Sequence, residues 1–323
     1  MRGQNTFSPE RLRSELAPLD LHGLPKSSAT PELSNYLRFY DLDLAREIPG
    51  LKHRIGYLTS GPYRLAVQLF EPVTPRATAV VCHGYYDHVG LYGHLIRYLV
   101  GHDLTVVTFD QPGHGLSSGQ QATIEDFDAY VRALVCCLDA TAGLHLEPWH
   151  ILGQSMGGSV VLEYLAQSVV DRQATHRTFN EIVLFAPLVR PAFWPINRIF
   201  FEIAKRTVSE RPRTFTKNAE NPEFLALIRT DPMQATVLPV QWVVAMMAWM
   251  NRFENNPRLP DNIKIVQGHM DRTVGWRYNL KLLSRMCELD VLHLPEARHH
   301  LVNEAEPLRQ QIWKWLDESC KWG

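Results

Sequence analysis

Ser155 stands in the run "LGQSMGGSV", with a glycine two positions to either side, Gly153 and Gly157. A serine hydroxyl is a weak nucleophile at its own pKa. It attacks a carbonyl when a general base takes its proton, and the base works when an acid holds it in the right tautomer. A bare glycine–x–serine–x–glycine run is equally a small-residue packing turn, so the reading depends on partners elsewhere in the chain.

Those partners are expected in the order serine, acid, histidine, at the carboxyl ends of parallel strands. "NIKIVQGHMD" offers Asp271, and "DVLHLPEARHH" offers His299 and His300. Asp271 also suits a helix cap. His269 falls two residues earlier, on the same side by period-two alternation, but an acid–histidine pair across adjacent strands is the preferred reading. Spacing does not choose between His299 and His300, because a one-residue shift reverses side-chain direction in extended chain. The developing oxyanion needs donors. These are the backbone amides of Met156, one residue past the serine, and of Tyr85, in the "HGYY" that ends the first buried strand.

These groups converge only if strands and helices alternate. "TAVVCHG", "LTVVTFD", "WHILGQS", "EIVLFAPL", "NIKIVQGHMD" and "DVLHLPEA" are short apolar runs of the kind buried on both faces of a sheet. Helical spacing follows most of them, in "LYGHLIRYLVG", "IEDFDAYVRALVCCLDA", "GGSVVLEYLAQSVV", "WRYNLKLLSRMCEL" and "EPLRQQIWKWLDESC". "HRIGYLT" and "YRLAVQLFEP" read as a hairpin ahead of them. The class is α/β, a mostly parallel sheet flanked by helices. Ser155 then lies on a sharp strand-to-helix turn, which strains its backbone and needs glycines at the flanks. Residues 1–50 read as a helical extension, with short helices around Pro9–Leu16 and Pro31–Leu42. Residues 51–188 and 261–323 read as the core, and 189–260 as a helical insertion without a convincing strand.

The 323 residues carry a formal net charge of -1, with 45% apolar and 21% charged residues. That balance gives no electrostatic case for nucleic acid. The start, "MRGQNTFSPERLRSEL", has no apolar core of a secretory signal. The richest apolar run, Trp242–Met250, is about half the ~18–20 residues a membrane span needs. Five cysteines without disulfide spacing suit reduced thiols in a cytosol. A cytoplasmic protein is expected. The glycine-rich Gly113–Gly119 lacks dinucleotide-binding spacing and a following helix, and His83, Asp87 and His88 lack a supporting set of metal ligands. No cofactor and no metal are expected.

"HGYYDHVGLYGHL", "FDQPGHGLSSG", "GQSMGGSV", "GHMDRTV" and "ARHHLVNE", in this order, resemble the α/β-hydrolases that include monoglyceride lipases and bacterial lysophospholipases. The resemblance runs from about residue 55 to the C-terminus. It implies an α/β-hydrolase fold with a helical lid, and a serine ester hydrolase with Ser155, Asp271 and His299 as triad. Tyr85 and Met156 match the oxyanion donors, and His300 falls on a variable position. "HGYYDH" stands where monoglyceride lipases have runs such as "HGAGEH", and Gln154 where histidine is frequent.

The expected substrate is a lipid-like ester, a monoacylglycerol or lysophospholipid. An acyltransferase on the same triad and a small-ester carboxylesterase are the alternatives. The insertion supplies the expected acyl pocket, with Phe193, Trp194, Trp242 and Trp249, beside Tyr86 of the oxyanion loop. Peripheral membrane contact through this cap is left open, as is the oligomeric state.

Overall fold

The computed structural model describes residues 7–21, 30–144, 147–170, 177–204, 208–255, 259–260 and 262–323. The first six residues, read above for a secretory signal, lie outside them. The N-terminal helices are α1 (Pro9–Glu15), α2 (Pro31–Phe39) and α3 (Leu44–Glu47). Ser8 and Thr30 cap α1 and α2 through their hydroxyls, and a proline opens each helix. The segment between them pairs Leu19 and Ala17 with Tyr57 and covers the edge of the sheet.

The hairpin β1 (Lys52–Ser60) and β2 (Tyr63–Glu71) leads into β3 (Ala77–Cys82), α4 (Gly93–Gly101), β4 (Leu104–Phe109) and α5 (Asp128–Thr141). Next come β5 (Trp149–Gln154), α6 (Met156–Val170) and β6 (Glu181–Phe185). An insertion holds α7 (Trp194–Ala204), β7 (Glu210–Pro212), α8 (Pro222–Thr230), β8 (Val237–Pro239) and α9 (Val240–Phe253). The chain closes with β9 (Ile263–Gly268), α10 (Trp276–Leu283), β10 (Leu289–Leu294) and α11 (Glu306–Ser319).

The eight-stranded sheet has the order β1-β2-β4-β3-β5-β6-β9-β10, parallel from β4 to β10. Strands β3, β4, β5 and β6 are buried throughout, as runs covered on both faces must be. One core packs α5, α6 and α9 on one face; the other packs α4, α11 and the N-terminal helices on the opposite face. Chain order reverses at β3, which lies between β4 and β5. The crevice at such a switch point is where α/β sheets hold ligands.

Two expectations need adjusting. Helix α5 starts at Asp128, not near Ile124, because Asp126 accepts the Asp128 amide and turns the chain there. The insertion also contains a two-stranded antiparallel ribbon, β7 with β8. Each strand has three residues and ends in a proline, Pro212 or Pro239, so neither periodicity nor composition announces it.

Candidate active site

Strand β5 and helix α6 meet at Ser155, whose φ of +54° is the left-handed backbone that a sharp elbow imposes. The glycines make that elbow possible. A Cβ on Gly157 would lie 2.1 Å from the Cys82 carbonyl oxygen of β3, and one on Gly153 would lie 2.7 Å from the Gly157 backbone. Only bare backbone lets α6 start this close to the sheet.

Asp271 follows β9, and His299 follows β10. His299 Nδ1 lies 2.7 Å from Asp271 Oδ2, and its Nε2 lies 2.9 Å from Ser155 Oγ. All three residues are buried. A carboxylate on Nδ1 keeps the imidazole proton there and leaves Nε2 to accept from the serine hydroxyl. Burial disfavours the imidazolium, but the charge and hydrogen bond of Asp271 outweigh it and raise the His299 pKa above the ordinary value. Asp271 does not cap α10, whose N-cap is Gly275; its Oδ1 instead accepts the amides of Thr273 and Val274, at 2.7 and 3.1 Å, in the turn ahead of that helix.

The two rivals for the histidine lie elsewhere. His300 Nε2 sits 3.1 Å from Asp87 Oδ2. His269 stacks on Trp276 and faces His293. Gln154, noted for standing where histidine is frequent, donates to the His299 carbonyl at 3.0 Å and ties the histidine loop to the elbow.

The loop after β3 carries Tyr85 beside Ser155. Neither its amide nor that of Met156 meets an acceptor among the described residues. The loop is braced from beneath. Gly84 donates its amide to Tyr92 Oη, which donates to Asp87 Oδ2. Burial would raise the Asp87 pKa, but His300, His83 and Tyr92 bring it down and keep the carboxylate charged. His83 accepts the Gln111 amide at Nε2 and so donates from Nδ1 to the Gly84 carbonyl. Burial and the neighbouring His114 lower its pKa to about 3, so it stays neutral. The described residues contain no cluster that could hold a metal ion. His83, Asp87 and His88, weighed above as ligands, each have their own protein partner.

A cavity of about 710 Å³ opens over Ser155. Tyr86, Trp194 and Trp242 line it, with Phe201, Val243 and Met246, and Trp242 stacks on Tyr85 at 3.7 Å between ring centroids. Two expected pocket residues are absent from its wall. Trp249 is fully buried, stacked between Phe127 and Phe253, and donates its indole N–H to Glu163 of α6 at 2.8 Å. It fastens the insertion to the core. Phe193 is 67% exposed and borders a separate groove with Trp276 and Arg277.

Sequence reasoning missed Asp231, which follows α8. Its carboxylate accepts from Tyr40 Oη of the N-terminal extension at 2.6 Å and lies 2.8 Å from His88 Nε2 of the loop after β3. Burial alone would raise the Asp231 pKa and lower that of His88, but each charge reverses the shift on the other. Gln234 bonds Asp231 and donates to the Tyr86 carbonyl, so this junction reaches the loop after β3 that carries Tyr85. Arg213, in the cavity wall, was also missed.

A parallel sheet crossed at β3, with a serine elbow, an aspartate and a histidine in this order at its carboxyl edge, defines an α/β-hydrolase. The chain belongs to the family described as serine aminopeptidase, S33, whose model matches residues 73–306, and within it to the monoglyceride lipase group of carboxylic ester hydrolases. It is 27% identical over 271 residues to a monoacylglycerol lipase of Mycolicibacterium smegmatis, a match spanning 79% of this chain and 94% of that protein. It is 34% identical over 246 residues to the monoglyceride lipase of Mus musculus, spanning 72% and 78%. A solved soluble variant of monoglyceride lipase from Saccharomyces cerevisiae shares the fold at a TM-score of 0.66 and 19% identity, covering 83% of this chain and 95% of that one. No helix among the described residues is long and apolar enough to cross a membrane.

Proposed function

We propose that the chain hydrolyses monoacyl lipid esters through an acyl-enzyme on Ser155. The observation that carries this reading is the Asp271–His299–Ser155 relay at the floor of a largely apolar cavity of about 710 Å³. His299 Nε2 takes the Ser155 proton as Oγ attacks the ester carbonyl, and Asp271 stabilises the imidazolium that forms. The tetrahedral oxyanion is held by the amides of Tyr85 and Met156. Losing one such donor typically costs about 2.7–4 kcal/mol of barrier. The imidazolium then gives its proton to the leaving alcohol. Water, deprotonated by the same histidine, releases the fatty acid and restores Ser155.

The apolar wall formed by Trp242, Val243, Met246 and Phe201 supports a lipid acyl group. The relatives named as monoacylglycerol lipases support the same class. The test is a panel of monoacylglycerols, lysophospholipids and short p-nitrophenyl esters against wild type and Ser155→Ala. Hydrolysis of the long-chain lipids that vanishes in Ser155→Ala is the expected result. Activity confined to short esters removes the lipid reading, and activity that survives Ser155→Ala removes the mechanism.

A further inference from the structure

The cavity has two unlike sides. Helices α7 and α9 make the apolar side, while the segment from Arg211 to Asn218 makes the other and places polar groups on it. Asn218 anchors this segment to the relay, because its carbonyl accepts the amides of His299 and His300 at 3.1 and 2.8 Å. The polar side is therefore fixed relative to Ser155.

Arg213 is its notable residue. The guanidinium lies over the Tyr86 ring at 4.0 Å and near the Phe215 ring at 4.4 Å. Its Nη1 donates to Gln234 Oε1 at 2.5 Å and to the Ala235 carbonyl at 3.2 Å. Nε and Nη2 have no acceptor among the described residues, and no carboxylate pairs with it there. Asp87 and Asp231 act on it from a distance, and each is already engaged by a histidine. A half-buried guanidinium beside an apolar pocket is costly to leave unpaired, and its free edge has the geometry that matches a phosphate. A second observation points the same way. The side-chain oxygen of Asn218 is buried without a partner among the described residues, which leaves an acceptor for a hydroxyl.

Resting on the ester-hydrolase reading above, we propose that this wall receives the leaving group of a phosphate-bearing monoacyl lipid. Arg213 binds the phosphate, and Asn218 accepts a free hydroxyl of the glycerol. The acyl chain lies along Trp242 and Met246. The reaction is ordinary ester hydrolysis: the acyl C–O bond breaks, water supplies the hydroxyl of the fatty acid, and the glycerophosphate alcohol takes the proton.

The experiment compares 1-acylglycerol 3-phosphate with 1-monoacylglycerol of the same chain, both in neutral detergent micelles, for wild type, Arg213→Gln and Arg213→Lys. The reading is the ratio of kcat/KM for the two lipids. Arg213→Gln is expected to lower that ratio by about ten- to a hundredfold, the range of a lost charge-assisted pair. Arg213→Lys is expected to recover part of it, since it keeps the charge without the fork. Salt should slow wild type on the phosphate lipid more than on the neutral one. A ratio unchanged in Arg213→Gln overturns the inference, as does an equal loss on both lipids. A parallel assay of the neutral lipid in phosphatidylglycerol vesicles separates headgroup recognition from attraction to an anionic surface. A loss seen only in those vesicles also overturns it. If wild type cleaves only the neutral lipid, and Ser155→Ala does not, the inference fails while the hydrolase reading stands. Inactivity on both lipids and on p-nitrophenyl esters overturns both.

Discussion

Replacing Asp271 by Asn tests the relay with little change in shape, and the structure decides which way the new amide must face. Oδ1 accepts two backbone N–H groups, from Thr273 and Val274. An NH2 in that place would leave both donors unpaired, at about 1–3 kcal/mol each. The Asn oxygen therefore stays on the backbone, and the NH2 takes the place of Oδ2, 2.7 Å from His299 Nδ1. There it can only donate. The imidazole proton moves to Nε2, which then presents a donor to Ser155 Oγ and cannot take its proton. In serine–histidine–aspartate relays this wrong tautomer costs about 10⁴ in kcat. At 1.36 kcal/mol per tenfold, that is about 5 kcal/mol of barrier. The assay is steady-state hydrolysis of a p-nitrophenyl ester, with thermal melting run alongside. Asp271→Asn is expected to melt within a few degrees of wild type, while Asp271→Ala, which strands both amides, melts lower. Asp271→Asn within tenfold of wild-type kcat would refute the argument, because the backbone clamp would then not control the histidine.

The raised pKa of His299 gives kcat/KM an acid limb above the ordinary histidine value of about 6.5, since only neutral imidazole accepts the serine proton. The same shift stabilises the fold fully below that ordinary value, and the gain is lost as pH rises through the folded pKa. A pH profile with its limb below 6.5, or urea midpoints indifferent to the change, would contradict it. Trp242→Ala should alter acyl-chain preference. Trp249→Ala should lower stability by about 3–5 kcal/mol with preference unchanged; the reverse pattern in a chain-length series would count against the cavity as described. Asp231→Asn breaks a pair whose side chains are 0–1% exposed, and should cost about 3–5 kcal/mol in urea unfolding. In wild type, the Asp231 contribution is lost as pH falls through its lowered pKa, and that of His88 as pH rises through its raised one. A variant that keeps the wild-type midpoint at neutral pH would show that the junction carries no load.

Ser155, Asp271 and the adjacent pair His299 and His300 were legible in the chain because each announces itself locally. A buried apolar run ends, and a residue able to do chemistry stands within a few positions of its carboxyl end. The glycines at 153 and 157 added a steric requirement that a short quotation can carry. The choice of His299 over His300 could not be read from spacing, because the backbone between β10 and the next turn is irregular and period two does not apply there. Tyr40, His88 and Asp231 were illegible for another reason. They come from three segments, and Asp231 lies 191 residues from Tyr40 and 143 from His88. No local pattern encodes a meeting of that kind.

The two tryptophans of α9 show where periodicity itself stops. Trp242 and Trp249 are seven positions apart, about two turns, so one stripe of the helix carries both, displaced by about 10 Å along its axis. Both are buried, though the sequence reading expected both in the acyl pocket. The pattern had no means of saying where along that face the cavity ends and the core begins. That limit is set by α6, whose Glu163 takes the Trp249 indole, and by the loop after β3, whose Tyr85 meets Trp242. Which residues of α9 reach the cavity thus depends on how far each lies from the elbow, a coordinate that sequence spacing alone does not supply.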